Sequence, residues 1–376
     1  MRLSDIEGQD RAVGFLTSAF ESGRVSHAYL FAGPDGVGKE TTALAFAQGL
    51  NCDGDGLTAC GECRACRMAE GLSHPDIHLI FPVPSTIKPA ELTELMAGYA
   101  RDGYRETDFG RKSAIISVET ILTDMVAKAN QKPYVGPWKI FIIADGDAMT
   151  TEAANTLLKT LEEPPEQTVI ILTTSRPNAL PPTVVSRCQS VRFSALSKDV
   201  VRAILLEDER LSFDEESASQ AASLSQGSAG RAVRMQKSGP TVDIERVAEL
   251  MTGKRTRDVP SLINEATALA FRLGRSEQER VLELMLLWFR DVLSVSQSGE
   301  GTTGDALLYS GHVKELRTQA GAMDVDVIGR MVDRIDDARR AIERYSNPAI
   351  VFTSVLLDIA IARKQSTSGK GRSHAA

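Results

Sequence analysis

Ala28-Tyr29-Leu30-Phe31-Ala32-Gly33-Pro34-Asp35-Gly36-Val37-Gly38-Lys39-Glu40 is the stretch that decides the fold. Its second half fits a phosphate-binding loop, G-x-x-x-x-G-K-[S/T], at every fixed position except the last. The run before the loop, Ala28 to Ala32, is short, apolar and aromatic-containing, as a buried parallel strand should be. The run after it, Thr41 to Leu50, spaces Ala43, Leu44, Phe46, Ala47 and Leu50 along one face of a helix. In that context Gly33, Gly36 and Gly38 let backbone N–H groups curl around phosphate oxygens. The helix N-terminus adds positive potential, and Lys39 reaches the β- and γ-phosphates of ATP or ADP. Glu40 stands where a hydroxyl normally coordinates Mg²⁺, which makes magnesium binding doubtful. Thr41 and Thr42 follow at other angles on the first turn, and neither replaces the missing group.

Working outward, the same architecture recurs. Trp138 to Asp145 carries four consecutive apolar residues, Ile140 to Ile143, which argues for burial on both faces of a parallel sheet. Thr168 to Thr174 is a second such strand and Asp76 to Ile80 a third. Glu152 to Leu161 is a helix stopped by Pro164-Pro165. Residues 4–24 read as one helix entered at Ser4 or Asp5. Alternating strands and helices over residues 1–193 predict a doubly wound α/β domain. Asp145, closing a buried strand, suits the magnesium shell of a nucleotide site; an aspartate capping the next helix is the simpler alternative. The residue after it is Gly146, where an ATPase usually carries a Glu that polarises water, and Asp147 is expected on the other side of an extended chain. Two catalytic positions are therefore missing, so nucleotide binding is expected and fast hydrolysis is not.

The chain has 376 residues, 42% hydrophobic and 25% charged, which implies two or three globular domains. A net charge of −7 excludes a globally polyanion-binding surface. No apolar run reaches the length of a membrane span, and the opening Met-Arg-Leu-Ser-Asp-Ile-Glu does not read as a signal peptide, so a cytoplasmic protein is expected. Five cysteines occur, and Cys52, Cys60, Cys63 and Cys66 form C-x7-C-x2-C-x2-C. Thiolates so spaced converge on one tetrahedral ion, structural Zn²⁺ with no open position, an iron–sulfur cluster being the alternative.

Residues 81–112 read as an irregular surface insertion, with a helix from Lys88 to Tyr104. After Phe193 the β-branched runs stop and Ala/Leu/Ser-rich helical spacing takes over. The expected division is 1–193 for the P-loop domain with its cysteine module at 52–66, 194–240 for a small helical lid, and 241–364 for a larger all-α domain. A disordered tail is expected over 365–376.

Several segments together resemble one family in a fixed order: His27-Ala-Tyr-Leu-Phe31, Gly33 to Lys39, the four cysteines, Asn155-Thr-Leu-Leu-Lys-Thr-Leu-Glu-Glu-Pro-Pro165 and Ser186-Arg-Cys188. They resemble the bacterial clamp-loader subunits of DNA polymerase III, an AAA+ family with a zinc module in the first domain. The match is close over 1–193 and looser over 194–235. The family's tau/gamma motor member has an intact loop threonine and an Asp-Glu pair; Glu40 and Asp145-Gly146 resemble a degenerate member instead. The resemblance implies that Arg187 acts as an arginine finger on a neighbour's ATP and that Thr174 is a sensor. It also implies partners: tau/gamma and delta subunits in a pentameric ring held by a helical collar, with the sliding clamp and primed DNA reached through the complex, and no membrane. Arg231, one residue later than the motor pattern, is not assigned to nucleotide. The reading from a different class is an autonomous P-loop ATPase or nucleotide kinase with Glu40 as a cation ligand.

Overall fold

A computed structural model describes residues 2–54, 56–102, 114–237, 244–297, 307–343 and 346–369. The chain forms two compact units, Met1–Lys237 and Ser238–Ala376.

Among the described residues, the first unit is built on seven strands: β1 Ala28–Ala32, β2 Ile77–Ile80, β3 Val83–Pro84, β4 Ala114–Ile115, β5 Lys139–Ile143, β6 Thr168–Thr174 and β7 Gln189–Arg192. Its helices are α1 Asp10–Glu21, α2 Lys39–Leu50, α3 Arg64–Glu70, α4 Pro89–Asp102, α5 Val118–Thr120, α6 Ala127–Ala129, α7 Thr151–Glu162, α8 Pro182–Val185, α9 Lys198–Glu207, α10 Glu215–Leu224 and α11 Ala229–Lys237. Five parallel strands form one sheet in the order β2-β5-β6-β1-β7. Strand order reverses at β1, and the crevice at such a reversal is where open α/β sheets bind ligands.

The uninterrupted apolar runs of β5 and β6 arise because both sheet faces are covered. Alternate residues serve opposite cores: Ile140 and Ile142 pack with Tyr29, Phe31 and Phe46, while Phe141 and Ile143 pack with Leu30, Leu157 and Leu172. The chain from Val118 to Ala129 is helical, with Ile121–Val126 between α5 and α6 wound as π-helix.

Two expectations change. The helix expected over 4–24 is split, because Gly8 adopts φ +69° and a Cβ there would lie 2.7 Å from Leu196 Cδ2. Only a short 3₁₀ turn, Leu3–Asp5, precedes it. The stretch 81–112 carries the expected helix as α4 but is less irregular than expected, since Val83 pairs antiparallel with Ile115 beyond it. Residues 103–113 of that stretch lie outside the described residues.

A buried carboxylate pins this sheet. Asp76, fully buried, accepts hydrogen bonds from the backbone N–H groups of Tyr134 (2.7 Å), Val135 (2.6 Å) and Gly136 (3.3 Å). Buried Lys139 lies 3.8 Å away. Burial alone would raise the Asp76 carboxyl; the three N–H groups and Lys139 overcome it and hold it below its ordinary value. A depressed folded pKa gives stability that is complete above the ordinary value near 3.9 and is lost as pH falls through the folded value. Asp76→Ala strands a buried ammonium and three N–H groups, so the first unit should lose about 3–5 kcal/mol at neutral pH. Urea unfolding at pH 7 measures this; the deficit relative to wild type should shrink below pH 4.

The second unit is all α: α12 Ile244–Thr252, α13 Val259–Arg272, α14 Arg275–Gln297, α15 Val313–Ala320, α16 Val325–Glu343 and α17 Pro348–Gly369. Its core surrounds Trp288, Phe289, Leu282 and Phe352. A buried polar chain orders it: Trp288 Nε1 donates to Gln319 Oε1 (2.9 Å), and Gln319 Nε2 donates to the Met251 carbonyl (2.9 Å). The packed helices α13 and α17 leave large apolar side chains exposed, Val259, Ile263 and Phe271 on one and Ile350, Leu357 and Ile361 on the other. α17 continues to Gly369, beyond the expected start of the tail at 365, and residues 370–376 lie outside the described residues.

Candidate functional site

β1 delivers the glycine loop to the reversal in strand order, where Gly33 N–H donates to the Thr174 carbonyl at the end of β6 (3.2 Å). Gly36 and Gly38 adopt φ +69° and +95°, which L side chains rarely tolerate. Gly36 is required for a second reason. A Cβ there would meet Ser228 Oγ at 2.3 Å, because the N-terminal turn of α11 packs on the loop and Gly230 N–H donates to the Gly36 carbonyl (2.9 Å). Asp35 of the loop is ion-paired to Arg234 of the same helix. Burial raises the Asp35 carboxyl, but Arg234, with Lys39 and Arg231, brings it below its ordinary value.

Lys39 opens α2 and is nearly buried. Its Nζ donates to the carbonyl oxygens of Gly33 (2.8 Å) and Pro34 (2.5 Å). Burial lowers its pKa against the opposing pull of Asp35, Asp145, Asp147 and Glu40. Two of these carboxylates are themselves ion-paired, Asp35 with Arg234 and Asp147 with Arg176. Glu40 and Thr41 follow half-buried on the first turn of α2, and the Thr42 hydroxyl donates back to the Gly38 carbonyl (2.7 Å).

Asp145 does not close β5 in extended backbone. It adopts a left-handed conformation (φ +50°) that starts a 3₁₀ turn, Gly146–Ala148, so the extended-chain argument about Asp147 does not hold. The turn brings Asp147 to the end of β6, where its Oδ1 accepts the Thr174 hydroxyl (2.6 Å) and its Oδ2 accepts Arg176 Nε (2.8 Å). Arg176 carries no signal in the sequence, and Asp147, expected on the far side of an extended chain, meets it only through the adjacency of two strand ends. Gln9 was missed too. It is buried, donates to the carbonyls of Val37 (3.1 Å) and Ser194 (2.8 Å), and ties the loop to the chain entering α9. Gly8-Gln9 just before a helix is the one local signal that could have marked it. Arg231 Nη1 donates to Gln226 Oε1 (3.2 Å).

Arg187 lies apart from this cluster in the contacts it makes. It follows α8, half-exposed, with Nη2 2.6 Å from Glu162 Oε1 and Nη1 donating to the Thr183 carbonyl (3.0 Å).

The cysteines converge as their spacing requires. The Sγ atoms of Cys52, Cys60, Cys63 and Cys66 all lie within 4.8 Å of one another, and Cys60 and Cys66 are 3.9 Å apart. A tetrahedral ion with bonds of about 2.3 Å places its sulfurs about 3.8 Å apart. Backbone N–H groups already serve the sulfurs: Gly54 and Cys60 donate to Cys52, Cys63 to Cys60, and Cys66 to Cys63, each at 3.3 Å. The N–H groups of Cys63 and Glu62 hold the Cys60 thiol down to about 6, while burial pushes Cys66 up to about 12. A coordinated cation deprotonates the thiols that bind it, and the cluster can hold one. His74 and His78 are not part of this cluster; His78 stacks on Phe141 at 5.0 Å.

A parallel sheet with a glycine loop at its reversal, a helical cap on that loop and an inserted four-cysteine module define a P-loop α/β protein of modified site. The profile of the family described as "DNA polymerase III, delta subunit" matches residues 8–197, and the chain belongs to that family. It is similar to the DNA polymerase III subunit delta' of Bacillus subtilis, 28% identical over 318 residues that make up 84% of each chain. It is also similar to the tau/gamma subunit of Haemophilus influenzae, 31% identical over 60% of this chain and 29% of the relative. With the tau subunit of B. subtilis it is 26% identical over 98% of this chain and 63% of the relative. The chain thus spans less than two thirds of the length of these two tau-type relatives. No helix among the described residues is long and apolar enough to cross a membrane.

Proposed function

We propose that this chain is the delta-prime subunit of a DNA polymerase III clamp loader, a ring component that serves a neighbour's ATPase and turns over little or no ATP itself. The carrying observation is the modified nucleotide site. Glu40 replaces the metal-binding hydroxyl, Gly146 follows Asp145, and the polar groups that would meet a phosphate are bonded within the chain: Lys39 to Gly33 and Pro34, Thr174 to Asp147, Arg234 to Asp35. The similarity to the B. subtilis delta' subunit over most of both chains supports this reading over a motor role.

In this reading Arg187 is the arginine finger, supplied to ATP held by a tau/gamma neighbour. Gly33, Gly36, Gly38, Lys39, Glu40, Thr41, Asp145 and Thr174 keep the shape of a nucleotide site, and any ATP or ADP they hold is bound without efficient Mg²⁺ chemistry. Residues 1–193 act as the AAA+ domain, 194–240 as its lid, and 241–364 as the collar. The exposed apolar faces of α13 and α17 support packing of that collar against other subunits in a pentameric ring, since apolar surface of this kind marks association sites. The cysteine module holds structural Zn²⁺, and the clamp and primed DNA are met through the complex in the cytoplasm.

Two measurements test the reading. Native mass measurement of a co-purified complex should find the chain with tau/gamma and delta subunits. The isolated chain should show no ordinary ATPase rate and no change in turnover with Lys39→Ala. An ordinary rate abolished by that substitution would establish the autonomous ATPase instead.

A further inference from the structure

We infer that Glu162 is a positioning residue for Arg187, fixing the guanidinium for the phosphate of a neighbouring chain; the inference rests on the finger role proposed above.

Glu162 is the last residue of α7, and a carboxylate in a helix's final turn opposes the macrodipole. Pro164-Pro165 then stop the helix, which fixes where that carboxylate emerges. Arg187, twenty-five positions later in sequence (187 − 162), meets it from the chain after α8. The guanidinium is gripped from two elements: Glu162 Oε1 takes Nη2 and the Thr183 carbonyl takes Nη1. Two fixed N–H donors set both the position and the plane of the group, and a guanidinium has five. The remaining N–H groups are left to address an anion from a defined direction.

Stability does not account for the pair. Its side chains are 36% and 50% exposed, and an ion pair so placed contributes little to folding. An arginine side chain, however, carries enough rotamer freedom that holding it ready lowers the entropy to be lost when it engages phosphate.

The test uses the reconstituted clamp-loader complex carrying wild-type chain, Glu162→Ala, Glu162→Gln or Arg187→Ala, with assembly verified by mass. Glu162→Ala should lower kcat per assembled complex about 10- to 100-fold, the cost of misplacing a group by about an ångström, with KM for ATP unchanged. Glu162→Gln, which keeps an oxygen acceptor on the same stem, should recover a substantial part of kcat. Unchanged or raised kcat in Glu162→Ala, alongside suppressed kcat in Arg187→Ala, overturns the positioning role and leaves the finger intact. Unchanged kcat in Arg187→Ala overturns the finger role itself. An equal loss in Glu162→Ala and Glu162→Gln overturns orientation by hydrogen bonding.

Discussion

Arg187→Ala should leave the complex assembled and reduce its ATPase by about 10³–10⁵, the range that supplying an arginine finger commands. The size of the effect follows from where the charge acts. A guanidinium placed against the transferring phosphoryl group stabilises charge that develops only in the transition state, in a site from which water is largely excluded. The same residue is half-exposed in this chain and bonded to a surface carboxylate, so its loss should scarcely change folding. A large kinetic effect beside a small stability effect is thus the signature to look for. Steady-state ATPase of the reconstituted complex and thermal unfolding of the isolated variant measure the two. Full activity in the variant complex would remove Arg187 from the mechanism.

Removal of the proposed zinc should have the second largest effect, this time on structure. About one zinc per chain is expected by elemental analysis, and Cys63→Ser should lower that content sharply. The module has little else to hold it: Leu57, Ala59, Ala65 and Cys66 are its buried apolar residues, around turns at Gly56 and Gly61 with positive φ. Structural zinc contributes on the order of 10 kcal/mol to folding of such a segment. Cys63 also caps α3 through the Cys66 N–H, so its removal frees a helix end as well as a ligand site. Hydrogen exchange should therefore rise across 52–70, while β5 and β6 stay protected. Gly49 marks how the effect could spread, since a Cβ there would lie 2.2 Å from the Leu57 carbonyl, and α2 carries the glycine loop's lysine. Gently purified protein without zinc would remove the argument from the cysteines.

Much of this was legible in the chain because the signals are local. Ile140 to Ile143 and Val169 to Leu172 announce doubly covered strands by their continuity, and the glycine loop and the cysteine spacing carry their chemistry within a few residues. The failures share a cause. Gly8 breaks the first helix by turning left-handed, and Leu196, brought there across the fold, leaves no room for a side chain at that position. Asp147 meets Thr174 and Arg176 only because β5 and β6 are neighbours and Asp145 turns left-handed. Glu162 and Arg187 each lie in a stretch that stands out in the sequence, but the two stretches are separate, and their pairing depends on how α7 packs beside α8. The periodicity of a helix or strand shows which face is buried, but it says nothing of which chain end it will meet.

The internal bonding of the glycine loop bears on ancestry. If the site descends from a working ATPase, its loss is spread over parts that now depend on one another: Lys39 on its own loop, Thr174 on Asp147, Asp35 on Arg234, Gly36 on Gly230. A hydroxyl restored at position 40 would meet a lysine, a threonine and a loop aspartate already engaged, and Gly146 would still lack a carboxylate. Lys39 and Thr174 are nearly or fully buried where they make these bonds, so a substitution at position 40 alone leaves both in place. Restoring turnover therefore calls for several changes together: at position 40, at position 146 and in the bonds that hold Lys39 and Thr174.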